Sequence, residues 1–151
     1  MQRAGQILSG MLLGVLAVFL STEVFAQADV IEKRQQLMKA QSADAKAIKA
    51  AVESKDYATI ETKAKDLMGT SAKIPELFPK GSTKGKTKAK AEIWDNMDDF
   101  TKKAKALKSA ASGLAAAAKA KDQSAVEAKV KEVSGACSSC HKSFRAEKYP
   151  E

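Results

Sequence analysis

The sequence contains few of the residues that form sheets or interrupt helices. Aromatic residues make up 5% of the 151 residues, and the three prolines are at positions 75, 79 and 150. Most of the 44% hydrophobic content is alanine, leucine, valine and isoleucine, and alanine and leucine enter a helix at little cost. We therefore expect an all-α protein with a single domain.

A long hydrophobic run occurs only at the beginning of the chain. Arg3 precedes an uncharged apolar stretch, residues 7–20, and the small residues of Val24-Phe25-Ala26 follow. This pattern is typical of a secretory signal peptide. A retained anchor is the alternative, but the run is shorter than the roughly 20 residues that a membrane-spanning helix needs. We predict a cleaved signal, residues 1–26, and an exported periplasmic domain, residues 27–151, with no membrane span.

Acidic residues are outnumbered by basic ones, and the formal net charge is +8. A basic surface can contact nucleic acid, an anionic membrane or an acidic protein. Export excludes nucleic acid, and the lysines are scattered along helical faces as on a solvated surface. Any partner is therefore expected to present an acidic docking face.

The spacing of apolar residues predicts four helices. Asp56 and Asp122 are expected to cap the second and fourth helices, and residues 75–88 are expected to form an exposed loop. Short connections between helices one and two, and three and four, predict an antiparallel up-down-up-down four-helix bundle. The predicted core positions are, in helix order, Ile31, Met38, Ala45 and Val52; Ile60, Ala64, Leu67 and Met68; Ile93, Met97, Phe100, Ala104, Leu107, Ala111 and Leu114; and Val126, Val130, Val133, Cys137, Cys140 and Phe144.

The only two cysteines and the only histidine lie together as Cys137-Ser138-Ser139-Cys140-His141. This is the attachment pattern of c-type haem. Two thiols three positions apart on a helix can reach both vinyl groups on one edge of a porphyrin, and the adjacent imidazole can then ligate the iron. The motif predicts one covalent haem c, attached through Cys137 and Cys140 and ligated by His141.

There are three alternatives to haem attachment for these residues: a disulfide, a redox pair and a zinc site. A disulfide would suit an exported protein, but it would close a very small loop and stabilise the fold little. A thioredoxin-like redox pair would need a βαβ context, whereas a helix precedes the motif here. Zinc would need a fourth ligand, and no further cysteine or histidine is present.

The haem motif at the C-terminal end of a four-helix bundle resembles the class II cytochromes c, the cytochrome c-prime family. The resemblance covers essentially all of the chain after residue 26. It rests on Cys137, Cys140, His141, Phe144 and Arg145, on Arg34-Gln35-Gln36-Leu37-Met38-Lys39, and on Glu92-Ile93-Trp94 running on to Asp99-Phe100.

The resemblance implies roles for three further residues. Met38 matches the methionine that is the sixth iron ligand in the low-spin, six-coordinate branch, although some five-coordinate members also carry methionine there. Arg34 matches an arginine that pairs a haem propionate, and Arg145 matches a basic residue beside the proximal histidine. Met68 and Met97 are expected to fill core space instead.

The predicted function is single-electron transfer through an iron with His141 and Met38 as axial ligands. No base, nucleophile or second metal site accompanies the motif, so the protein is expected to be an electron carrier and not an enzyme. The redox partners are expected to be acidic, and the protein a monomer or a homodimer. The first alternative is a five-coordinate haem protein that binds nitric oxide or carbon monoxide. The second is a haem-free helical adaptor or metal-binding bundle.

Overall fold

The computed structural model describes residues 12–149, with side chains from residue 28 onward. Within this range, the chain forms four long helices, one short helix and one 3-10 turn. In chain order these are α1 Leu12–Glu53, α2 Tyr57–Lys73, the 3-10 turn Pro75–Leu77, α3 Glu92–Asp95, α4 Met97–Lys119 and α5 Gln123–Phe144.

The four long helices form the predicted antiparallel bundle. Helix α4 packs closely against both α2 and α5, and α1 packs mainly against α2. Helices α1 and α5 touch at only a few points, so the seam between them is the loosest in the bundle. The predicted fold class is confirmed, and the functional site lies along this loose seam.

The hydrophobic core is centred on α4, at most of the positions that the spacing of apolar residues predicted. Phe100, Leu107 and Leu114 are buried on one face of α4, and Ile60 of α2 and Val126 of α5 meet that face. Each of these side chains is close to fully removed from water, and burial of a large aliphatic or aromatic side chain stabilises the fold by about 1.5–3 kcal/mol. The core therefore extends along the bundle and is capped at one end by Phe144.

Two aspartates begin helices where the sequence predicted them. The side chain of Asp56 accepts a hydrogen bond from the backbone N–H of Thr59 at 3.1 Å, and Asp122 accepts one from Ala125 at 3.0 Å. Each supplies a partner for a backbone donor that the first helical turn cannot satisfy. The hydrogen bonds to Thr59 also lower the pKa of the Asp56 carboxyl, because they favour its charged form.

The inward face of α1 differs from the predicted one. Ala45 is exposed and Met38 is only half-buried, whereas Gln41 and Asp44 are buried. The reason is that α2 offers polar partners. Gln41 donates to the Thr70 hydroxyl at 3.1 Å, and Asp44 pairs with Lys63 at 3.2 Å. Of the predicted core positions on α1, Ile31 is buried, Met38 and Val52 are partly buried against the core, and only Ala45 is exposed.

The predicted third helix is divided into α3 and α4. Asn96 leaves the helical conformation, with φ −129° and ψ 46°, and its side-chain amide donates to the Glu92 carbonyl at 3.2 Å. Asparagine bonds readily to nearby backbone in this way, in competition with the helix. The buried residue Ile93 therefore lies on α3, not on the long helix.

The predicted signal peptide falls partly outside the described residues, because residues 1–11 are not described. Helix α1, Leu12–Glu53, continues without a break past Ala26, which is the predicted cleavage point. Cleavage after Ala26 stays a prediction. Among the described residues, no helix combines the length and the hydrophobicity needed to cross a membrane.

Truncation at the centre of the core provides a test of the packing. We expect Leu114→Ala to lower the free energy of unfolding by about 2–5 kcal/mol, because Leu114 is completely buried and the truncation leaves a cavity. Urea unfolding followed by circular dichroism measures the change. The matched control Lys108→Ala lies on the exposed face of the same helix and is expected to change stability by less than about 0.5 kcal/mol. Equal effects of the two substitutions would contradict the assigned core.

Candidate haem-binding site

A cavity of about 580 Å³ lies along the loose seam between α1 and α5. Four parts of the chain form its walls: α1, the segment after α2, the α3–α4 region, and the end of α5 with the residues that follow it. The lining residues are Arg34, Gln35, Met38, Lys39, Ser42, Phe78, Thr87, Lys88, Ala89, Ile93, Phe100, Cys140, His141, Phe144, Arg145 and Tyr149.

The α5 wall carries the residues of the predicted attachment motif. Cys140 and His141 line the cavity directly. Cys137 lies one turn earlier on the same face as His141 and is half-buried against the hydrophobic core. Both thiols are free. The motif thus presents its sulfurs and its imidazole along one stretch of helix beside the cavity.

The surroundings keep these three groups in their neutral forms. Burial raises the pKa of both the Cys137 and Cys140 thiols, and the nearby charge of Lys103 partly opposes this shift at Cys140. Burial also lowers the pKa of His141, and the positive charge of Arg145 lowers it further. A neutral imidazole is the form that can bind a metal. His141 is exposed as a residue and lines the cavity.

The α1 wall carries Met38. Gln35, Lys39 and Ser42 line the same wall, at the three- and four-residue spacings that place residues on one helical face. Met38 is half-buried. Among the lining residues of α1, it is the one that carries a soft sulfur donor. The cavity therefore has an imidazole on its α5 side and a thioether on its α1 side.

Arg34 is buried in the α1 wall, with 3% of its surface exposed. Its guanidinium donates to the Ser82 carbonyl at 2.8 Å, to the Ser82 hydroxyl at 3.1 Å and to the Thr87 hydroxyl at 3.3 Å. It also lies 4.8 Å from the centre of the Phe78 ring, within cation–π range. Its Nε has no hydrogen-bond partner in the described protein.

The segment around Arg34, residues 75–88, is irregular after the 3-10 turn and mostly exposed, as the sequence predicted, but part of it packs against Arg34 and α1. Phe78, Ser82 and Thr87 are buried, and Gly85 approaches α1 so closely that a Cβ there would lie 2.9 Å from Ile31. Gly85 also has a φ of +114°, a conformation that side chains disfavour. The segment therefore folds around the guanidinium and forms one side of the cavity.

A short C-terminal strap, residues 145–149, closes the other side. The backbone N–H of Lys90 donates to the Phe144 carbonyl at 3.0 Å, and that of Ala146 donates to the Lys88 carbonyl at 2.8 Å. The Lys88 ammonium also donates to the Glu147 carbonyl at 2.7 Å. These bonds hold Arg145 and Tyr149 at the cavity rim.

Aromatic side chains form the floor behind the cavity. Phe100 meets Phe144 edge to face with 5.3 Å between ring centres, and Phe78 meets Phe100 in the same way at 4.7 Å. Trp94 packs against Phe78 and donates its indole N–H to the Pro79 carbonyl at 2.8 Å. Trp94 thus supports the cavity wall from behind and does not line it.

These residues fit a haem. The floor is aromatic and aliphatic, as a porphyrin face requires, and polar groups are gathered at the rim. The unpartnered Nε of Arg34 is a buried donor whose charge suits a carboxylate, and a buried donor without a partner is costly. Among the described residues, no group of three or more histidine, cysteine or acidic side chains is arranged to hold a metal ion.

The fold and the cavity together define a four-helix-bundle protein of the c-type haem class. The family model for Cytochrome C' matches residues 29–145, which is most of the chain. The protein belongs to the cytochrome c' family, whose members carry one covalent haem c. Membership confirms the predicted family and cofactor, and it leaves no support for the haem-free bundle.

Similar proteins span the same length. The chain is 33% identical to a cytochrome c' of Rhodospirillum rubrum over 143 residues, which is 91% of this chain and 97% of that one. It is 39% identical over 105 residues to a cytochrome c-556 of Agrobacterium tumefaciens, covering 70% and 75% of the two chains. A nitric oxide complex of a cytochrome c prime variant from Alcaligenes xylosoxidans superposes with a TM-score of 0.73 at 26% identity, covering 81% of this chain and 97% of that one.

The structure gathers five of the six predicted site residues around one cavity and places the sixth, Cys137, one turn away. The residues that sequence reasoning missed are Ser82, Thr87 and Tyr149. No periodic signal could have found them, because they lie in irregular segments. Gln35, Lys39 and Ser42 were also missed, but their spacing relative to Met38 was a usable signal.

Removal of Arg34 tests whether it orders the wall. We expect Arg34→Leu to expose residues 78–90 to trypsin and to lower the free energy of unfolding by about 2–3 kcal/mol, since hydrogen bonds from a charged donor are lost. Arg34→Lys keeps the charge but lacks the planar fork, so it should restore protection only in part. The neighbouring Lys33→Gln, at an exposed position, serves as the control. Unchanged cleavage within the lysine-rich segment of Arg34→Leu would refute this role.

Proposed function

We propose that this protein holds its haem through thioether bonds to Cys137 and Cys140, with His141 as the axial ligand, and that it binds nitric oxide or carbon monoxide on the opposite face. The haem supplies an iron that changes oxidation state and accepts a diatomic ligand. The protein residues orient this group, hold its carboxylates and limit what can enter the space beside Met38.

The observation that carries the proposal is the asymmetry of the cavity. The α5 wall supplies a neutral imidazole, a strong ligand, whereas the α1 wall offers neither an imidazole nor a thiol. The thioether of Met38 is a weak acceptor on an unbranched, flexible side chain. A small neutral ligand can therefore use this face. The nitric oxide complex of the similar Alcaligenes xylosoxidans protein supports this choice.

Other residues are proposed to position the group. Arg34, through its unpartnered Nε, is placed to pair with a propionate, while its other two nitrogens keep the wall in place. Phe144 packs against Phe100 behind the proximal side. Arg145, at the rim next to His141, disfavours protonation of the imidazole and so keeps it available as a ligand.

Electron transfer with Met38 as sixth ligand is the second candidate. It is favoured by one observation, namely that Met38 and His141 line the same cavity from opposite helices. A Met/His pair is a known cytochrome arrangement and closes the iron to other ligands. The similarity to a cytochrome c-556 does not decide between the two candidates.

Export to the periplasm through a cleaved signal, residues 1–26, is part of the proposal, as is a monomeric or homodimeric state.

Covalent attachment of the haem can be tested by measuring the mass of the protein. The mature protein, produced in a host that attaches haem c, is expected to have the mass of residues 27–151 plus one haem. Cys137→Ser combined with Cys140→Ser should remove the haem from the mass, because no thioether can form. Ser138→Ala, within the same motif, is the control and should keep it.

The reaction with carbon monoxide separates the two functions. We expect the reduced protein to be high-spin and to form a carbonyl adduct, and Met38→Ala to change the carbon monoxide affinity by no more than about tenfold, or 1.4 kcal/mol. Met38→Leu keeps the side-chain volume and removes the sulfur. A low-spin wild type that ignores carbon monoxide, with both variants converted to high-spin binders, would reject gas binding in favour of methionine ligation.

A further inference from the structure

The segment from residue 77 to residue 91 carries five lysines, at positions 80, 84, 86, 88 and 90, and no acidic residue. It alone contributes +5 to the formal net charge of +8. The same segment forms one side of the cavity through Thr87, Lys88 and Ala89. The densest positive charge of the sequence is therefore located beside the opening to the haem, not spread evenly over the bundle.

Cations from three parts of the chain meet at this opening. Lys39 of α1, Lys88 of the segment and Arg145 of the strap all line the cavity. Lys86 belongs to the same group, because its ammonium lies 6.0 Å from the ring of Tyr149, which also receives Lys88 at 5.0 Å. We call Lys39, Lys86, Lys88 and Arg145, with Tyr149 among them, the rim.

The rim brings several cations together around one opening. Some lysines elsewhere form ion pairs, for example Lys63 with Asp44 and Asp66 and Lys129 with Glu132. Within the described side chains, none of the four rim cations forms an ion pair. Unpaired charges of one sign around an opening attract an oppositely charged partner and speed its approach.

Tyr149 contributes an aromatic ring to this surface. It is the one large hydrophobic residue that is exposed in the described chain, at 47%. Tyrosine is enriched among the residues that carry most of the energy of protein–protein interfaces, and charged residues commonly form the surrounding rim. A lipid surface would instead be expected to engage several exposed apolar side chains.

We propose that the rim is the docking surface for an acidic one-electron donor protein. The inference rests on the proposed function, because a diatomic such as carbon monoxide binds the reduced iron and something must reduce it. One electron would pass from the donor's redox centre to the iron of a haem held by Cys137, Cys140 and His141. The donor is thereby oxidised by one electron, the iron changes from the ferric to the ferrous state, and no bond is made or broken in the protein.

Small charged reductants test the location of this surface on the haem-loaded protein. We expect Lys86→Glu of the rim, combined with Lys84→Glu beside it in the same segment, to slow reduction by the anionic iron(II)–EDTA complex about tenfold at low salt, and to accelerate reduction by cationic hexaammineruthenium(II). Neither lysine lines the cavity. Lys105→Glu combined with Lys108→Glu, at exposed positions of α4, makes the same change in net charge and should alter either rate less than about twofold, because distant charges are screened.

Equal rate changes in the two double variants would overturn the proposal, since they would reflect net charge alone. A second measurement addresses the kind of partner, by titrating wild type and variants with a polyglutamate peptide and with equimolar phosphatidylglycerol–phosphatidylcholine vesicles. Loss of peptide binding in the Lys84/Lys86 variant alone supports protein docking. Binding to vesicles without binding to the peptide would overturn it in favour of a membrane.

The carbon monoxide spectrum separates this proposal from the function on which it depends. All these variants should form the same carbonyl adduct as the wild type, because the substitutions leave the cavity lining intact. If the adduct forms normally and the rim variants behave like the α4 variants, only the docking surface fails. If the wild type forms no adduct, gas binding fails, and the reductant rates still report on the rim.

Discussion

The buried guanidinium of Arg34 determines the shape of the site. Burial lowers its pKa, which reflects the cost of keeping a charge away from water. The fold offsets that cost with carbonyl and hydroxyl oxygens and with the faces of Phe78 and Trp94, not with a carboxylate. Because these partners all belong to segments outside the long helices, the charge organises the part of the chain that has least structure of its own.

This arrangement links the two sides of the cavity. Arg34 and Met38 are one turn apart on α1. A displacement of that helix would therefore move Met38 together with the guanidinium of Arg34. The segment that Arg34 holds contributes Thr87, Lys88 and Ala89 to the lining, and its backbone is bonded to the strap after α5. The parts of α5 and α1 that carry His141 and Met38 are therefore joined through hydrogen bonds that lie outside the helices.

Local sequence signals predicted the bundle and the attachment motif well, for a physical reason. Seams such as that of Phe100, Leu107 and Leu114 are apolar throughout, so periodicity and burial agree. On α1 periodicity and burial disagree, because Gln41 and Asp44 are buried against polar groups of α2. The apolar pattern of α1 alone does not reveal these partners. The burial of Ser82 depends in the same way on Arg34, 48 residues earlier. Such long-range pairs leave no periodic trace in the sequence.

The composition of α1 follows from its position beside the cavity. Toward α2 this helix makes polar contacts, and its buried apolar residues are Ile31, Ile48 and Ala51. Toward α5, where a bundle helix would normally bury an apolar stripe, it meets few residues and borders the cavity instead. A haem held in this space would supply the apolar surface that the α1–α5 seam lacks. Since a group that binds only the folded state stabilises that state, such a cofactor would complete the core of the bundle as well as supply its chemistry.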